Sequence, residues 1–216
     1  VLTVHWSAEN FPGTAETDSF IREVLLSRSP VKVDYYAEYL ESDQFPKDGG
    51  LALREYIRHK FRGRRIDVVI ANADPALQFV LRHRKELFPE APIVFLGTSM
   101  GAASARRMTA AVTGIFGDTA YGRTLELALA LHPSTERVYV VAQAPTFQLQ
   151  DNARDELSAF AQRVSLVYLG QGSITQLLAS IKAIPPRSLV LYLRYSREDP
   201  GHLVFPDEVA RLVAEA

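Results

Sequence analysis

The chain has 216 residues, 47% of them hydrophobic, and a formal net charge of −1 with a pI near 6.6. A chain of this length can bury a substantial core, as one large domain or as two smaller lobes. The near-neutral charge gives no reason to expect nucleic acid or an anionic membrane surface as a partner. The absence of cysteine excludes disulfides, thiolate metal sites and a cysteine nucleophile, and it is compatible with an oxidising compartment.

Strands and helices alternate along the chain. The apolar pattern predicts strands at 1–5, 31–40, 66–71, 93–96, 112–116, 137–142, 166–169 and 189–193. It predicts helices at 14–27, 50–61, between the strands at 66–71 and 93–96, and at 119–131, 147–163, 173–181 and 207–215. Within 31–40, apolar residues alternate with Lys32, Asp34 and Glu38, which indicates one exposed face, as at the edge of a sheet.

This alternation predicts an α/β fold with parallel sheets. Each half offers strand, helix, strand, helix and strand, with a break near 114–117, so we expect two Rossmann-like lobes at 1–116 and 117–216. The chain begins at Val1 and not at Met, and its last helix has no strand after it. We therefore expect the natural protein to extend at both ends, with any signal peptide before Val1 and the second lobe incomplete.

Polar or aromatic residues follow the predicted strands. Parallel strands bring their carboxyl ends to one edge of a sheet, where open α/β folds bind ligands. Amides, hydroxyls and one large ring suit a small polar or aromatic organic ligand. The predicted ligand-binding residues are Trp6, Ser7, Asn72, Asp74, Thr98, Ser99, Asp118, Gln143 and Tyr195.

A structural alternative accompanies these predictions. Asp74 and Asp118 each precede a predicted helix, so both fit helix capping, which is compatible with ligand binding. Trp6, the only tryptophan, fits a core or lobe-interface residue equally well.

The segment from Gly97 to Gly101 reads G-x-S-x-G, the nucleophile elbow of α/β-hydrolases, with Ser99 as the nucleophile. Asp199 and His202 follow in the hydrolase order. Against this hypothesis, the helix after the motif would be short, no oxyanion loop follows the first strand, and the two partners lie only three residues apart. We therefore predict a binding domain with no catalytic residue.

Cofactor and metal signals are weak. The segment from Gly170 to Gly172 opens a helix after a strand, but Thr175 replaces the last glycine of the dinucleotide fingerprint, so a tight turn is the simpler interpretation. The five histidines show no ligand-like spacing. We predict neither a cofactor nor a metal site.

Several short segments of the sequence resemble those of a known family. They are 39–41, 45–46, 67–71, 74–77 and 87–95 in the first half, and 112–115, 124–127 and 131–138 in the second half. In this order they resemble the extracytoplasmic sensor regions of bacterial membrane histidine kinases, which are similar to the substrate-binding proteins of ABC transporters. The resemblance spans nearly the whole chain, although no single motif is diagnostic.

The resemblance implies a periplasmic binding-protein fold with a ligand in the cleft between two lobes. It implies an extracytoplasmic sensor of a small organic ligand, attached to a membrane and kinase module in a two-component system. The alternative is a substrate-binding protein that serves an ABC permease. No nucleic acid is expected, and a homodimer is left open.

Overall fold

The computed structural model describes residues 1–42, 50–98, 111–117, 120–143, 147–198 and 202–216. The chain divides into two compact units, Val1–Asp118 and Thr119–Ala216. The predicted site residues Ser99 and Asp118 lie outside the described residues, as does Asp199 of the hydrolase hypothesis. Within the described ranges, no helix is long and apolar enough to cross a bilayer.

Unit 1 contains a five-stranded sheet and three described helices. The strands are β1 (Leu2–His5), β2 (Tyr36–Tyr39), β3 (Val69–Asn72), β4 (Ile93–Thr98) and β5 (Val112–Phe116). The helices are α1 (Pro12–Arg28), α2 (Leu51–Lys60) and α3 (Ala73–Leu87). The strand order is β2-β1-β3-β4-β5 and every pairing is parallel, as the alternating pattern predicted.

All four residues of β1 are buried, because this strand lies inside the sheet with helices on its faces. The apolar face of α3, formed by Ala76, Leu77, Phe79 and Val80, packs into the same core. Burial of these side chains is the main stabilising term for the unit.

The edge position predicted for β2 is confirmed, but two details of that prediction are wrong. The strand covers only Tyr36–Tyr39, and Glu38, predicted on the exposed face, is buried. Lys60 at the end of α2 lies with its Nζ 2.7 Å from Glu38 Oε1. The Lys60 cation offsets the cost of burying the Glu38 carboxylate. The alternation of apolar and polar residues could not reveal this ion pair, because Lys60 belongs to another element.

Unit 2 contains a three-stranded parallel sheet, a short antiparallel hairpin and four described helices. The sheet consists of β6 (Arg137–Ala142), β7 (Ser165–Leu169) and β8 (Ser188–Arg194), in the order β7-β6-β8. The hairpin strands are β9 (Arg197–Glu198) and β10 (His202–Leu203), which the sequence pattern did not predict. The helices are α4 (Tyr121–Leu131), α5 (Phe147–Ser158), α6 (Ile174–Lys182) and α7 (Pro206–Glu215).

Both sheets have the same connection pattern. In unit 1 the chain leaves β1, forms β2 on one side and returns to form β3 on the other side. In unit 2 it leaves β6, forms β7 on one side and returns to form β8 on the other. Each sheet therefore has a topological switch point, between β1 and β3 in one unit and between β6 and β8 in the other. Ligands of open α/β sheets bind at such points, outside the carboxyl ends of the strands.

Candidate functional site

The switch point of unit 1 is lined by residues that follow β1 and β3. Trp6 and Ser7 directly follow His5, the last residue of β1, while Asn72 ends β3. His5 and Asn72 occupy paired positions in the two strands. The predicted residues Trp6, Ser7, Asn72 and Asp74 are therefore brought to one edge of the sheet, as the order of strands and helices indicated.

A buried hydrogen-bond network lies behind this edge. His5 has no exposed surface; its Nε2 lies 3.1 Å from Asp18 Oδ1 and its Nδ1 lies 3.1 Å from Asn72 Nδ2. The Tyr39 ring stacks on the imidazole at a centroid distance of 5.4 Å. The network connects α1 with the carboxyl ends of two strands, so it fixes the side chain of a predicted ligand-binding residue.

Asp18 receives donors from three sides. Tyr35 Oη donates to its Oδ1 at 2.5 Å, and Arg22 Nη2 donates to its Oδ2 at 3.3 Å. Burial favours the neutral carboxyl, but the hydrogen bonds from Tyr35 and His5 outweigh it and hold the pKa of Asp18 below its usual range. Asp18 is therefore a carboxylate at neutral pH.

The histidine and the two tyrosines of the network stay neutral. Burial lowers the pKa of His5 below its ordinary value of 6.5, against the opposing effect of Asp18. Burial, reinforced by Asp18, raises the pKa of the Tyr35 hydroxyl, and it raises the pKa of Tyr39 to about 12. At neutral pH the network therefore combines the carboxylate of Asp18, the cation of Arg22 and neutral hydrogen-bonding groups.

The junction between β3 and α3 has an unusual backbone. Ala73 has a φ of +70°, which places a residue with a side chain in the left-handed region, at a cost of roughly 1–2 kcal/mol. The N-cap position of α3 belongs to Asn72, whose side chain makes no capping hydrogen bond. The interpretation of Asp74 as the N-cap is therefore wrong; it lies in the first turn, where the helix dipole favours a negative charge.

The remaining predicted residues of unit 1 are placed as follows. Trp6 is half-buried and packs edge-on against Phe11, with ring centroids 5.4 Å apart. Ser7 is buried. Thr98 ends β4 and is fully buried, and no described residue forms a hydrogen bond with its Oγ1. The binding roles of these residues stay predictions.

The switch point of unit 2 also has a hydrogen bond across its two strands. Gln143 follows β6 and its Oε1 accepts a hydrogen bond from the backbone N–H of Ser196 at 2.8 Å. Ser196 lies two residues beyond β8, after Tyr195. Gln143 is 8% exposed, so it lies just beneath the surface of this edge.

Tyr195, the last predicted residue of unit 2, lies in the core of that unit. The side chain has no exposed surface and belongs to a core cluster with Leu177 and Val209. Its hydroxyl donates to the backbone oxygen of Gly172 at 2.5 Å. This bond ties β8 to the turn before α6, so Tyr195 supports the edge of unit 2, and its contact with a ligand stays a prediction.

The sequence interpretation missed the network centred on His5. The sequence pattern assigned no role to Asp18, and the histidines were weighed only as metal ligands. The one signal was a histidine at the end of a mostly apolar strand, and nothing in the sequence identified a partner about 13 positions away. In the described part of the chain, no group of three or more His, Cys, Asp or Glu side chains could hold a metal ion.

The comparisons with known proteins give structural neighbours only. No family model matches the chain, and no curated protein matches it. One neighbour is the ABC domain from Streptococcus pneumoniae solved in complex with L-Trp, at 15% identity and a TM-score of 0.56, covering 83% of this chain and 59% of that chain.

Two other neighbours belong to the same structural class. A substrate-binding protein with adhesive properties from Clostridium difficile, in its ligand-free open form, shares 15% identity at a TM-score of 0.53, covering 88% of this chain and 64% of that chain. The fructose-binding periplasmic domain of a hybrid two-component system shares 13% identity at a TM-score of 0.56, covering 99% of this chain and 67% of that chain.

The chain therefore has an α/β fold like that of the periplasmic binding proteins, and the predicted fold class is confirmed. The neighbours are ligand-binding domains, one of them from a two-component system. The chain spans about three fifths of the length of the first two of these neighbours.

Proposed function

We propose that this chain is an extracytoplasmic domain that binds a small organic ligand and serves as the sensor region of a membrane histidine kinase. The observation that carries the binding role is the switch point of unit 1, where a buried hydrogen-bond network holds Asn72. Trp6 follows β1 and Asp74 follows β3 at the same edge of the sheet. Such a site fixes ligand orientation with a few polar groups and covers apolar surface with a ring.

The sensor role is supported by one neighbour. The fructose-binding periplasmic domain of the hybrid two-component system matches 99% of this chain, so the likeness extends over both units. A ligand would act by population shift: it favours the conformation to which it binds more tightly, and the attached membrane segments respond to that conformation.

A substrate-binding protein of an ABC transporter is the second candidate. It is supported by the ABC domain solved with L-Trp and by the substrate-binding protein from Clostridium difficile. The two candidates share the binding chemistry and differ in what ligand binding controls, which is phosphorylation in one case and uptake in the other.

The binding role is tested by a thermal-shift screen with amino acids, aromatic acids, sugars and small organic anions, beginning with L-tryptophan and D-fructose. A specific binder raises the unfolding midpoint in proportion to the logarithm of its concentration. For a confirmed binder we expect Asn72→Ala and Asp74→Ala each to weaken the affinity at least about tenfold, the effect of losing roughly 1.4 kcal/mol.

Asp67→Ala is the matched control, because Asp67 is an exposed aspartate that precedes β3 at the opposite end of this strand. We expect it to leave the affinity unchanged. Unchanged affinity in both Asn72→Ala and Asp74→Ala would refute the assignment of the site. Ligand-dependent autophosphorylation of the full-length protein in membranes would then separate the sensor from the transporter component.

A further inference from the structure

The imidazole of His5 is buried with a polar partner on each ring nitrogen. Asp18 Oδ1 lies 3.1 Å from Nε2, and the amide nitrogen of Asn72 lies 3.1 Å from Nδ1. Because the ring is fully buried, water cannot replace either partner, and the hydrogen-bond roles must agree among the three side chains.

The roles follow from the chemistry of Asp18. This carboxylate can only accept hydrogen bonds, so the imidazole must carry its proton on Nε2. A neutral imidazole with a proton on Nε2 has a lone pair on Nδ1, which can only accept. Asn72 must therefore direct its NH₂ group toward His5.

We propose that His5 is a positioning residue of the ligand site, and that its fixed Nε2–H tautomer orients the Asn72 amide so that the carbonyl oxygen faces away from the imidazole. This inference rests on the proposed function, because it specifies the chemistry of the same site. No described residue donates a hydrogen bond to that oxygen. Asn72 thus offers a ligand an acceptor at the carboxyl end of β3, so the ligand group bound there is a hydrogen-bond donor.

The surroundings favour the neutral ring. Burial lowers the pKa of His5, and the adjacent Arg22 cation is paired with the same Asp18 carboxylate. A second proton on Nδ1 would place an N–H donor opposite the NH₂ donor of Asn72, and the amide of Asn72 would have to rotate to present its oxygen instead. The titratable and charged groups around His5 are Asp18 and Arg22 from α1, Tyr35 and Tyr39 from the β2 segment, and Glu9 and Glu38 acting on Tyr39.

The tautomer can be measured by NMR on the unliganded chain at pH 7.5, with the His5 ring assigned through bonds to its backbone. We expect a protonated, pyrrole-type Nε2 and an unprotonated, pyridine-type Nδ1. We also expect slow hydrogen exchange at the Asn72 NH₂ group. A protonated Nδ1, either as the opposite tautomer or as an imidazolium, would overturn the proposal, and so would fast exchange at Asn72.

Two variants separate positioning from general structural support. In Asp18→Asn, Arg22 can donate only to the new amide oxygen, so the new NH₂ group faces His5 Nε2. Because Nε2 must then accept a hydrogen bond, the tautomer with its proton on Nδ1 should become detectable. Tyr35→Phe removes the other donor to the same carboxylate oxygen, and we expect it to retain the Nε2–H form. An Nε2–H ring in both variants would show that Asp18 does not set the tautomer. Because no ligand is used, a failed ligand screen would count against the proposed function alone.

Discussion

Burial of His5 predicts a loss of stability in mildly acidic solution. The pKa of His5 is lowered in the folded chain, chiefly by burial, so the unfolded chain takes up a proton first as the pH falls. The contribution of His5 to stability is therefore complete above its ordinary pKa of 6.5 and decreases as the pH falls below that value. The perturbation that isolates this contribution is His5→Gln, which removes the titrating group and keeps a donor toward Asp18.

The magnitude follows from linkage. One proton contributes about 1.4 kcal/mol for each pH unit below the pKa of the unfolded state. Between pH 7.5 and pH 5.0 the wild-type chain should therefore lose up to about 2 kcal/mol through His5. The pKa of His83 is also lowered, but this residue is present in both chains and cancels in the difference. The carboxylate of Asp18 titrates below this window.

Urea unfolding followed by tryptophan fluorescence measures this loss locally, since Trp6 is the only tryptophan and follows His5 directly. The free energy of unfolding should fall by about 1–2 kcal/mol more in the wild-type chain than in His5→Gln between the two pH values. His5→Gln should be less stable at pH 7.5, because its new amide cannot satisfy both former partners. Equal pH dependence in the two chains would refute the conclusion that His5 is buried in its neutral form.

Three further predictions concern other parts of the chain. Lys60→Met should lower the free energy of unfolding by roughly 2 kcal/mol, and Glu38→Gln should lower it by less than about 1 kcal/mol. Only the first change leaves the buried Glu38 carboxylate without its cation, so equal losses in chemical unfolding would contradict this explanation. Gly114→Ala should lower the free energy of unfolding by about 3 kcal/mol or more, since the new Cβ would lie 2.1 Å from the backbone oxygen of Phe95. Gly13→Ala on α1 should leave stability unchanged or raise it. A shift of similar size in the unfolding midpoint of both variants would refute this explanation. A fluorophosphonate probe should leave Ser99 unlabelled, and labelling that disappears in Ser99→Ala would restore the hydrolase hypothesis.

The fold could be predicted because its signals are local. Apolar runs bounded by turn residues located the strands of both sheets, and the amphipathic pattern located α3. The strand at 31–40 was predicted too long, because apolar and polar residues also alternate in the segment before β2. The hairpin of β9 and β10 was missed, since two strands of two residues each give no periodic signal.

The site could be predicted only in outline. Parallel strands bring their carboxyl ends together, so Asn72 and Trp6 could be assigned to one edge from the order of elements alone. The partners of these residues could not be predicted, because His5 and Asp18 belong to different elements and meet only when α1 packs on the sheet. Tyr195 shows the opposite case: a polar aromatic residue after a strand fits a ligand contact in sequence, but its ring lies in the core.

The left-handed backbone of Ala73 restricts which residues this position can tolerate. Glycine adopts a φ of +70° without strain, and asparagine and aspartate adopt it more readily than most other residues. Valine, isoleucine, threonine and proline are excluded by their branched or cyclic side chains. A saturation library at position 73 should therefore retain glycine and asparagine and lose the β-branched residues, although the chain leaves a β-strand at this point. In proteins aligned to this chain by structure, the same restriction at this position would mark the junction between β3 and α3.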